Sequence, residues 1–305
     1  MIGYNIAMKV SVLVATRNRA RLLKHCLHSL QNQTTPPLEI VVVDNDSTDD
    51  TRTVCDGFKQ TLPIVYQKER RVGLPFSRNR SLQFARGDLW AFIDDDCIAN
   101  PEWLKQILAH FQQYPQTVGV IGITLNACPI NISSCVEYVY YLRWLDNHVA
   151  DVHDVGKLSS GFCIDFKNAA FRASFIKQFR FSTNAPYGDV GDEDVEIGYR
   201  LYRASQNIYY NPNIRVTHRY STTIQRLFVR NFWNGYANQV LYRTHGLNVR
   251  TFKPKFPTNQ SALVKHKVPS AVSYKIIRTI YPLFSRFGRL YALTNTKKLS
   301  IPKRT

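Results

Sequence analysis

The alternation of short apolar runs with helical patterns over residues 9–124 constrains the fold of this chain more than any other sequence feature. Uninterrupted runs rich in Val and Ile are typical of strands that are buried on both faces of a parallel sheet. Between these runs, apolar residues recur at helical spacing, as at Leu23, Leu27 and Leu30. The pattern predicts an α/β fold, a Rossmann-like and mostly parallel sheet flanked by helices. The predicted strands are 9–15, 40–43, 64–66, 89–93 and 118–124, and the predicted helices begin near Leu22, Thr48, Ser77 and Pro101.

Charge divides the chain into two unlike parts. The 305 residues include 40 Lys and Arg against 22 Asp and Glu, a formal net charge of +18. All 22 acids lie in residues 1–196 together with 20 basic residues, whereas residues 197–305 contain 20 basic residues and no acid. This asymmetry indicates a polyanionic partner or an anionic membrane surface. We predict a globular domain over 8–222 and a basic helical C-terminal extension over 223–305, with a linker at 250–268.

Composition excludes several classes of protein. With 44% hydrophobic and 12% aromatic residues, the chain can bury a large core and is not expected to be disordered. Its six cysteines show no Cys-x-x-Cys spacing, so reduced thiols are expected. The apolar run that ends at Ala15 is followed by basic residues, which does not fit a signal peptide, and it is too short for a membrane span. No uncharged apolar stretch of roughly 18 residues occurs elsewhere. A cytoplasmic protein is predicted, with a peripheral position at the inner face of the cell membrane as the alternative.

Polar clusters directly follow three of the predicted strands. They are Thr16-Arg17-Asn18, Asp44-Asn45-Asp46 and Asp94-Asp95-Asp96. Ligands bind at the carboxyl ends of parallel strands, so three such clusters at one edge of a sheet predict a binding site.

The triple carboxylate of Asp94, Asp95 and Asp96 indicates a metal. Adjacent carboxylates repel one another, so placing them side by side costs free energy unless a cation compensates their charge. Oxygen ligands suit Mg²⁺ or Mn²⁺, ions that commonly bridge carboxylates to substrate phosphates. The alternative is a solvated acidic turn that precedes the helix at Pro101.

Three further candidates each have two interpretations. Asp44 can accept a hydrogen bond from the imide N–H of a uracil or thymine or from a ribose hydroxyl, or it only forms a turn or helix cap. A glycine-bearing loop places Asp192, Glu193 and Asp194 at a helix N-terminus, where acids stabilise the helix dipole or one of them acts as a general base. His218 follows a strand-like run and is either structural or part of a metal site dominated by carboxylates.

Short segments spread over the first 220 residues carry a family resemblance: Val10–Asn18, Val41–Ser47, Gly73 with Ser77–Ser81, Ala85–Asp88, Phe92–Asp96, Gly191–Asp194 with Tyr199–Leu201, and Val216–His218. In order and spacing they resemble glycosyltransferase family 2, whose fold is GT-A. The resemblance implies a nucleotide-sugar donor (UDP-, dTDP- or GDP-linked), a divalent metal, Mg²⁺ or Mn²⁺, and inversion at the anomeric carbon.

The same resemblance implies a role for individual residues. Asp44 falls on the base-binding acid, Arg78 near the diphosphate, and Asp96 on the metal ligand of the D-x-D motif. Asp194 falls on the catalytic base, with Asp192 as a second candidate. The donor-binding residues that it implies are Ala15, Thr16, Arg17, Asp44, Arg78, Asp94 and Asp95, and the implied metal-binding residues are Asp96 and His218.

One departure from the family pattern indicates which type of sugar transfer to expect. A Gln-x-x-Arg-Trp motif, which marks processive synthases in this family, is missing, since Arg143-Trp144 lacks the upstream Gln. We therefore predict transfer of a single sugar to a glycan or lipid-linked acceptor. The first alternative is a nucleotidyltransferase acting on sugar phosphates, although residues 15–19 lack the glycine-rich loop expected after its first strand. The second is a basic nucleic-acid-binding protein, a reading that leaves the acidic site unexplained, so no nucleic-acid partner is expected.

Two helices are predicted in the basic extension, over 224–243 and 275–293. In the second, seven apolar residues share one face at 100° per residue: Ile276, Ile280, Leu283, Phe284, Phe287, Leu290 and Tyr291. This pattern is typical of a helix that lies at an anionic membrane interface. The alternative is that the apolar face packs on the catalytic domain, and we favour such packing for the helix over 224–243.

Overall fold

The structure of the protein is a computed structural model. This structure describes residues 8–126, 148–161, 164–183, 193–218, 223–245 and most of 283–293, together with Tyr138, Tyr141 and Leu145. These residues fall in two compact units. The first comprises the described parts of 1–125, 148–185 and 193–219, and the second those of 126–147 and 220–305. The domain boundary between residues 222 and 223 stays a prediction.

Within the described residues, nine strands form one sheet in the order β3-β2-β1-β4-β8-β6-β9-β5, and β7 pairs with β9. The strands are β1 (Val10–Thr16), β2 (Glu39–Asp44), β3 (Ile64–Lys68), β4 (Leu89–Ile93), β5 (Cys97–Ala99), β6 (Gly119–Asn126), β7 (Gly156–Lys157), β8 (Asn168–Arg172) and β9 (Ile208–His218).

The first half of the sheet is parallel, as the apolar runs predict. Strand β1 pairs in parallel with β2 and with β4, and β2 pairs in parallel with β3. Thr16 and Asp44 are register partners, so the polar residues at the carboxyl ends of β1 and β2 meet at one edge. Beyond β4 the sheet is antiparallel, through the pairs β4–β8, β6–β8 and β5–β9, which makes the whole sheet mixed.

Helices follow the strands: α1 (Ala20–Gln31), α2 (Thr51–Phe58), α3 (Leu74–Phe84), α4 (Trp103–Gln113), α5 (Ala173–Ile176), α6 (Glu193–Ala204) and α7 (Ile224–His245). Helix α2 begins at Thr51, three residues after the predicted start near Thr48. The backbone N–H of Thr51 donates to Asp49 Oδ1 at 3.1 Å, so an acid before the helix satisfies one of its first N–H groups. Helix α3 begins three residues before the predicted start at Ser77. Its first turn contains Pro75 and follows Gly73 at φ 137°, a backbone angle that favours glycine.

Strand β5 was not predicted, because three residues are too few to show a strand period. It lies between the triple carboxylate and α4, and it pairs antiparallel with β9. In that pairing Cys97 is the register partner of His218, which brings a residue from the end of β9 beside Asp96. The strand that the sequence analysis missed therefore positions the candidate metal site.

The second unit contains α7 and the residues of 283–293 that the structure describes, all of which are helical. In the parts of the chain that the structure covers, no helix combines the length and the apolar character needed to cross a membrane.

Candidate active site

The loops after β1 and β2 are joined at the carboxyl edge of the sheet. The backbone N–H of Asn18 donates to Ser47 Oγ at 2.9 Å, and that of Thr48 donates to Asn18 Oδ1 at 2.8 Å. Asn18 and Asp46 adopt positive φ angles of 51° and 56°, a conformation that Asn and Asp tolerate better than most residues. Both polar clusters are thus held in compact turns beside each other.

Asp44 ends β2 and is buried, with 2% of its surface exposed. Its Oδ1 accepts from the backbone N–H of Ser47 at 2.8 Å, and its Oδ2 accepts from the Tyr66 hydroxyl at 2.5 Å. A carboxylate oxygen can accept two hydrogen bonds, so each oxygen keeps acceptor capacity for a ligand. Burial and the bond to Asp44 raise the pKa of Tyr66, which keeps its hydroxyl a donor.

Asp95 points into the protein from the middle of the triple carboxylate. It accepts from Thr16 Oγ1 at 2.7 Å and from Arg19 Nη1 at 3.1 Å. Burial raises the pKa of Asp95 to about 7, against the opposing effect of Arg19 and with a further increase from Asp96. Thr16, Arg19 and Asp95 therefore tie the end of β1 to the end of β4.

Asp96 lies between two cationic or potentially cationic groups. Its Oδ2 accepts from Arg19 Nη1 at 3.1 Å, and its Oδ1 lies 3.1 Å from His218 Nε2. Burial would raise the pKa of Asp96, but the hydrogen bond and charge of His218, with Arg19, outweigh it and lower the pKa to about 2. Asp96 is thus held as a carboxylate next to an imidazole.

The donor atoms around Asp96 fit a divalent cation. Ligand atoms of Asp96, Cys97 and His218 lie within 4.8 Å of one another. Burial raises the pKa of the Cys97 thiol well above its usual value, so this side chain stays a neutral thiol and a poor ligand. The Arg19 guanidinium contacts the carboxylates of both Asp95 and Asp96, as a bound cation would. Asp96 and His218 are therefore the residues that could hold the metal.

Arg78, on α3, gathers the acids of the other half of the site. Its Nη1 donates to Glu193 Oε1 at 3.0 Å and to Asp194 Oδ1, and its Nη2 donates to Asp94 Oδ1 at 3.3 Å. Only 4% of Arg78 is exposed, and its guanidinium lies 5.5 and 5.3 Å from the ring centres of Phe166 and Phe181. One buried guanidinium therefore ties the N-terminus of α6 to the end of β4.

Three acids around one cation leave an excess of negative charge. Burial raises the pKa of Asp194 well above its usual value, Arg78 opposes that rise, and Glu193 adds to it. Burial likewise raises the pKa of Glu193 against the effect of Arg78. A carboxylate with a raised pKa is a better proton acceptor near neutral pH than an ordinary Asp.

The structure brings together most of the residues selected from the sequence. Thr16, Asp95, Asp96 and His218 form one chain of contacts through Arg19, and Asp94 connects through Arg78 to Asp194. On the same helix as Asp194, Arg200 Nε donates to Glu196 Oε1 at 2.7 Å, an ion pair between residues four apart. Ala15 is half-buried and Arg17 is exposed at this edge of the sheet, and Asp192 lies outside the described residues.

Three residues of this network were missed by the sequence analysis. Arg19 could have been found from the sequence, because it is a cation three residues after a strand whose end meets the acidic cluster. Glu193 was named only as one of three acids at a helix N-terminus, and its burial against Arg78 follows only from the packing of α6. Tyr66 is the register partner of Val42, which places it diagonal to Asp44, a relation that no short sequence pattern reveals.

Comparison with known proteins gives consistent matches. Residues 11–131 match the family described as "Glycosyl transferase family 2". The chain is 28% identical over 255 residues to a glucosyl-dolichyl phosphate glucuronosyltransferase of Haloferax volcanii, a match that covers 77% of each chain. It is also 28% identical to a validoxylamine A glucosyltransferase of Streptomyces hygroscopicus subsp. limoneus, over 63% of this chain but 48% of that protein.

Solved structures show the same architecture at low identity. A mannosyltransferase of Pyrobaculum calidifontis in complex with GDP-Man and Mn²⁺ is 18% identical, with a TM-score of 0.61 over 98% of this chain and 89% of that one. TarS of S. aureus in complex with UDP is also 18% identical, with a TM-score of 0.55 over 96% of this chain and 90% of that one. At these identities the likeness concerns the fold.

Proposed function

Since the chain belongs to glycosyltransferase family 2 and adopts the GT-A fold, we propose that it moves a single hexose-type sugar from a nucleotide-diphosphate sugar to an acceptor hydroxyl, with inversion and with a divalent metal. One observation carries the proposal. Asp94, Asp95 and Asp96 follow β4 and point in three directions: Asp94 accepts from Arg78, which also bonds to Asp194, Asp95 accepts from Thr16, and Asp96 contacts His218. Such an edge offers a metal site and a base side by side.

Asp194 is proposed as the general base. The acceptor oxygen attacks the anomeric carbon from the face opposite the diphosphate, the bond from that carbon to the diphosphate oxygen breaks, and the hydroxyl proton passes to Asp194. A single in-line displacement of this kind inverts the anomeric carbon. Burial supports the role by raising the pKa of Asp194, and the hydrogen bond from Arg78 fixes one of its oxygens. Asp192 stays a second candidate.

The leaving diphosphate needs positive charge, and the residues of this edge can supply or hold it. In the D-x-D motif, Asp96 is proposed to bind Mg²⁺ or Mn²⁺ together with His218. The bound ion would neutralise the negative charge that grows on the departing nucleoside diphosphate. Arg19, whose side chain is 51% exposed while it contacts Asp95 and Asp96, is proposed to present positive charge to the diphosphate. Arg78 was assigned to the diphosphate by resemblance, and its burial among three acids favours a positioning role.

The donor is proposed to lie across the edge formed by β1, β2 and β4. Asp44 would receive the base, with Ala15, Thr16 and Arg17 beside it and Asp94 and Asp95 toward the ribose and sugar. UDP-, dTDP- and GDP-sugars are all compatible with these residues. The complexes of similar structures with UDP and with GDP-Man support a nucleotide-sugar donor and leave the nucleotide open.

The acceptor is proposed to be a glycan or a lipid-linked saccharide in cell-surface glycan or glycolipid synthesis. The Haloferax volcanii relative is a glucosyl-dolichyl phosphate glucuronosyltransferase, and the dolichyl phosphate in that name supports a lipid-linked acceptor for this chain. A cytoplasmic protein that binds peripherally to an anionic membrane through its basic extension would meet such an acceptor.

A thermal-shift panel of nucleotide sugars, with and without Mn²⁺, tests the proposal. We expect one UDP-, dTDP- or GDP-sugar to raise the melting temperature, with a larger rise when Mn²⁺ is present, because a ligand that binds only the folded state stabilises it. Product analysis with that sugar then reads out the anomeric configuration. A flat response to every sugar, or a retained configuration in the product, contradicts the proposed reaction.

A further inference from the structure

In the second unit, the described residues of 283–293 are helical and pack against α7 on one side. The rings of Phe228 and Phe284 stack with their centres 4.4 Å apart. Gly235 marks the closest approach, since a Cβ at this position would lie 1.9 Å from the backbone oxygen of Ser285. The ring of Tyr291 lies 5.7 Å from that of Phe232. One face of this segment is therefore already occupied by its own unit.

The adjoining side of this face carries large apolar side chains that are exposed. Leu283, Phe287 and Leu290 are 41%, 58% and 56% exposed, and their i, i+4, i+7 spacing puts them in one stripe. We call these three residues the apolar stripe. Leu293, 44% exposed, lies beside it. Of the eight large hydrophobic residues that are exposed in the described parts of the chain, five lie in 283–293, which makes this the largest such concentration.

The structure thus divides the single apolar face that the sequence predicts. Phe284 packs on α7, whereas the residues of the apolar stripe remain 41–58% exposed. Within the described residues of 283–293, packing on α7 covers only part of the apolar face. Large apolar side chains that are exposed together in this way mark an interaction surface.

Charge around the apolar stripe favours an anionic partner. Arg286 is exposed next to Phe287. Residues 197–305 contain no acid, and the twelve positions after Leu293 contribute Lys297, Lys298, Lys303 and Arg304. A surface that combines exposed Leu and Phe with cations and no acid matches a bilayer interface with anionic headgroups.

We propose that the apolar stripe Leu283–Phe287–Leu290 inserts into the headgroup region of an anionic bilayer, with α7 as the support behind it. This inference deepens the proposed peripheral location by naming the residues that enter the bilayer, and it needs neither donor nor metal. Moving a Phe and a Leu side chain from water to the acyl boundary is favourable. Together, two such residues should strengthen binding of the chain to the bilayer at least tenfold relative to Ser at the same positions. Each basic residue near the surface adds about fivefold.

Vesicle co-sedimentation of the full chain tests the inference. The wild type is expected to bind vesicles that contain roughly 30 mol% phosphatidylglycerol, to bind pure phosphatidylcholine at least tenfold more weakly, and to lose binding as salt rises. The double variant Phe287→Ser/Leu290→Ser is expected to bind the anionic vesicles at least tenfold more weakly. Val229→Ser is the matched control, because Val229 is an exposed apolar residue of the same unit (51%) outside the apolar stripe.

Two further measurements separate the possible outcomes. Sedimentation velocity without lipid shows whether the apolar stripe instead joins two copies of the chain. A dimer that the double variant dissociates, equal vesicle binding by wild type and double variant, or no binding by the wild type each overturns the inference. The nucleotide-sugar thermal shift must be the same in wild type and double variant. If no nucleotide sugar shifts the melting temperature of either the wild type or the double variant, the proposed reaction is contradicted, and the inference about the apolar stripe is unaffected.

Discussion

The carboxyl edge of the sheet and the basic extension use charge in opposite ways. At the edge, buried or half-buried ions contact ions of the other sign: Arg78 contacts three acids, and Asp96 lies between Arg19 and His218. Residues 223–305 contain no acid at all, so their cations have no acidic partner within the extension. Ionic side chains that are paired in a buried site suit catalysis, because the partners of each group set its orientation and its proton affinity. Uncompensated surface charge suits attraction to something outside the chain.

The comparison predicts its largest effect at Asp194. The substitution Asp194→Asn removes the proposed base while keeping a side chain of the same shape, and we expect the transfer rate to fall by about 10²–10⁴-fold. Donor binding should change little, because the proposed donor contacts lie elsewhere. Glu196→Gln is the matched control on the same helix, since Glu196 pairs with Arg200. Single-turnover transfer and the nucleotide-sugar thermal shift give the two readouts, and near-normal turnover in Asp194→Asn would move the base to another residue.

The next largest effect is expected from Arg78. Replacing it by Met leaves Glu193 and Asp194 buried without their cation, a change that typically costs about 3–5 kcal/mol of stability. The carboxyl pKa values in the variant would rise further above their unfolded values, so the folded state would bind more protons. Stability of the variant should therefore recover as pH falls toward the unfolded carboxyl pKa values.

Urea unfolding of wild type and Arg78→Met at several pH values measures this dependence. Arg172→Met is a matched control, because Arg172 also donates hydrogen bonds and lies 5.1 Å from an aromatic ring centre, but bonds to backbone oxygens and not to acids. An equal and pH-independent loss in both variants would mean that packing, not charge compensation, explains Arg78.

A smaller effect is expected at the proposed metal ligands. His218→Gln should weaken Mn²⁺ binding by about 10–100-fold, measured by titration calorimetry on the protein without donor. His110→Gln is the control, since His110 is a buried histidine whose partners are Thr117 and Asn211. Equal Mn²⁺ affinity in wild type and His218→Gln would remove His218 from the metal site and leave Asp96 without its proposed partner.

The two regions also differ in how far the sequence alone predicts them. The parallel strands and the acidic cluster are local patterns, so the edge itself was predictable. The partners of the acids were not, because Arg78 reaches Glu193 and Asp194 across more than a hundred residues, and His218 reaches Asp96 only through the short strand β5. In the extension, the spacing of the apolar residues could be read from the sequence. The part of that face that packs on α7 could not, because it depends on contacts of Gly235 and Phe228 that the spacing of residues does not reveal.

A modest pH effect is expected from Asp95. Burial raises its folded pKa to about 7, above the unfolded value of about 4, so the folded state binds more protons. Stability should therefore rise as pH falls from 8 to 6, by about 1 kcal/mol at most, after discounting for solvent near the half-exposed Arg19. Removing Arg19 should enlarge the change, because Arg19 lowers the pKa of Asp95, whereas Arg17→Ala should not. Thermal unfolding of wild type, Arg19→Ala and Arg17→Ala across this pH range checks whether the pH-dependent change in stability is largest in Arg19→Ala.

The smallest effect on stability is expected for the exposed cation of the extension. Arg286→Gln should change the free energy of unfolding by no more than about 0.5 kcal/mol, because a solvated arginine in a stretch without acids loses no ion pair within that stretch. The same substitution should weaken binding to anionic vesicles by about fivefold. A charge that matters for binding and not for folding is the opposite of Arg78. If urea unfolding showed a loss above about 1 kcal/mol for Arg286→Gln, the extension would also depend on paired charge, and the contrast between the two regions would not hold.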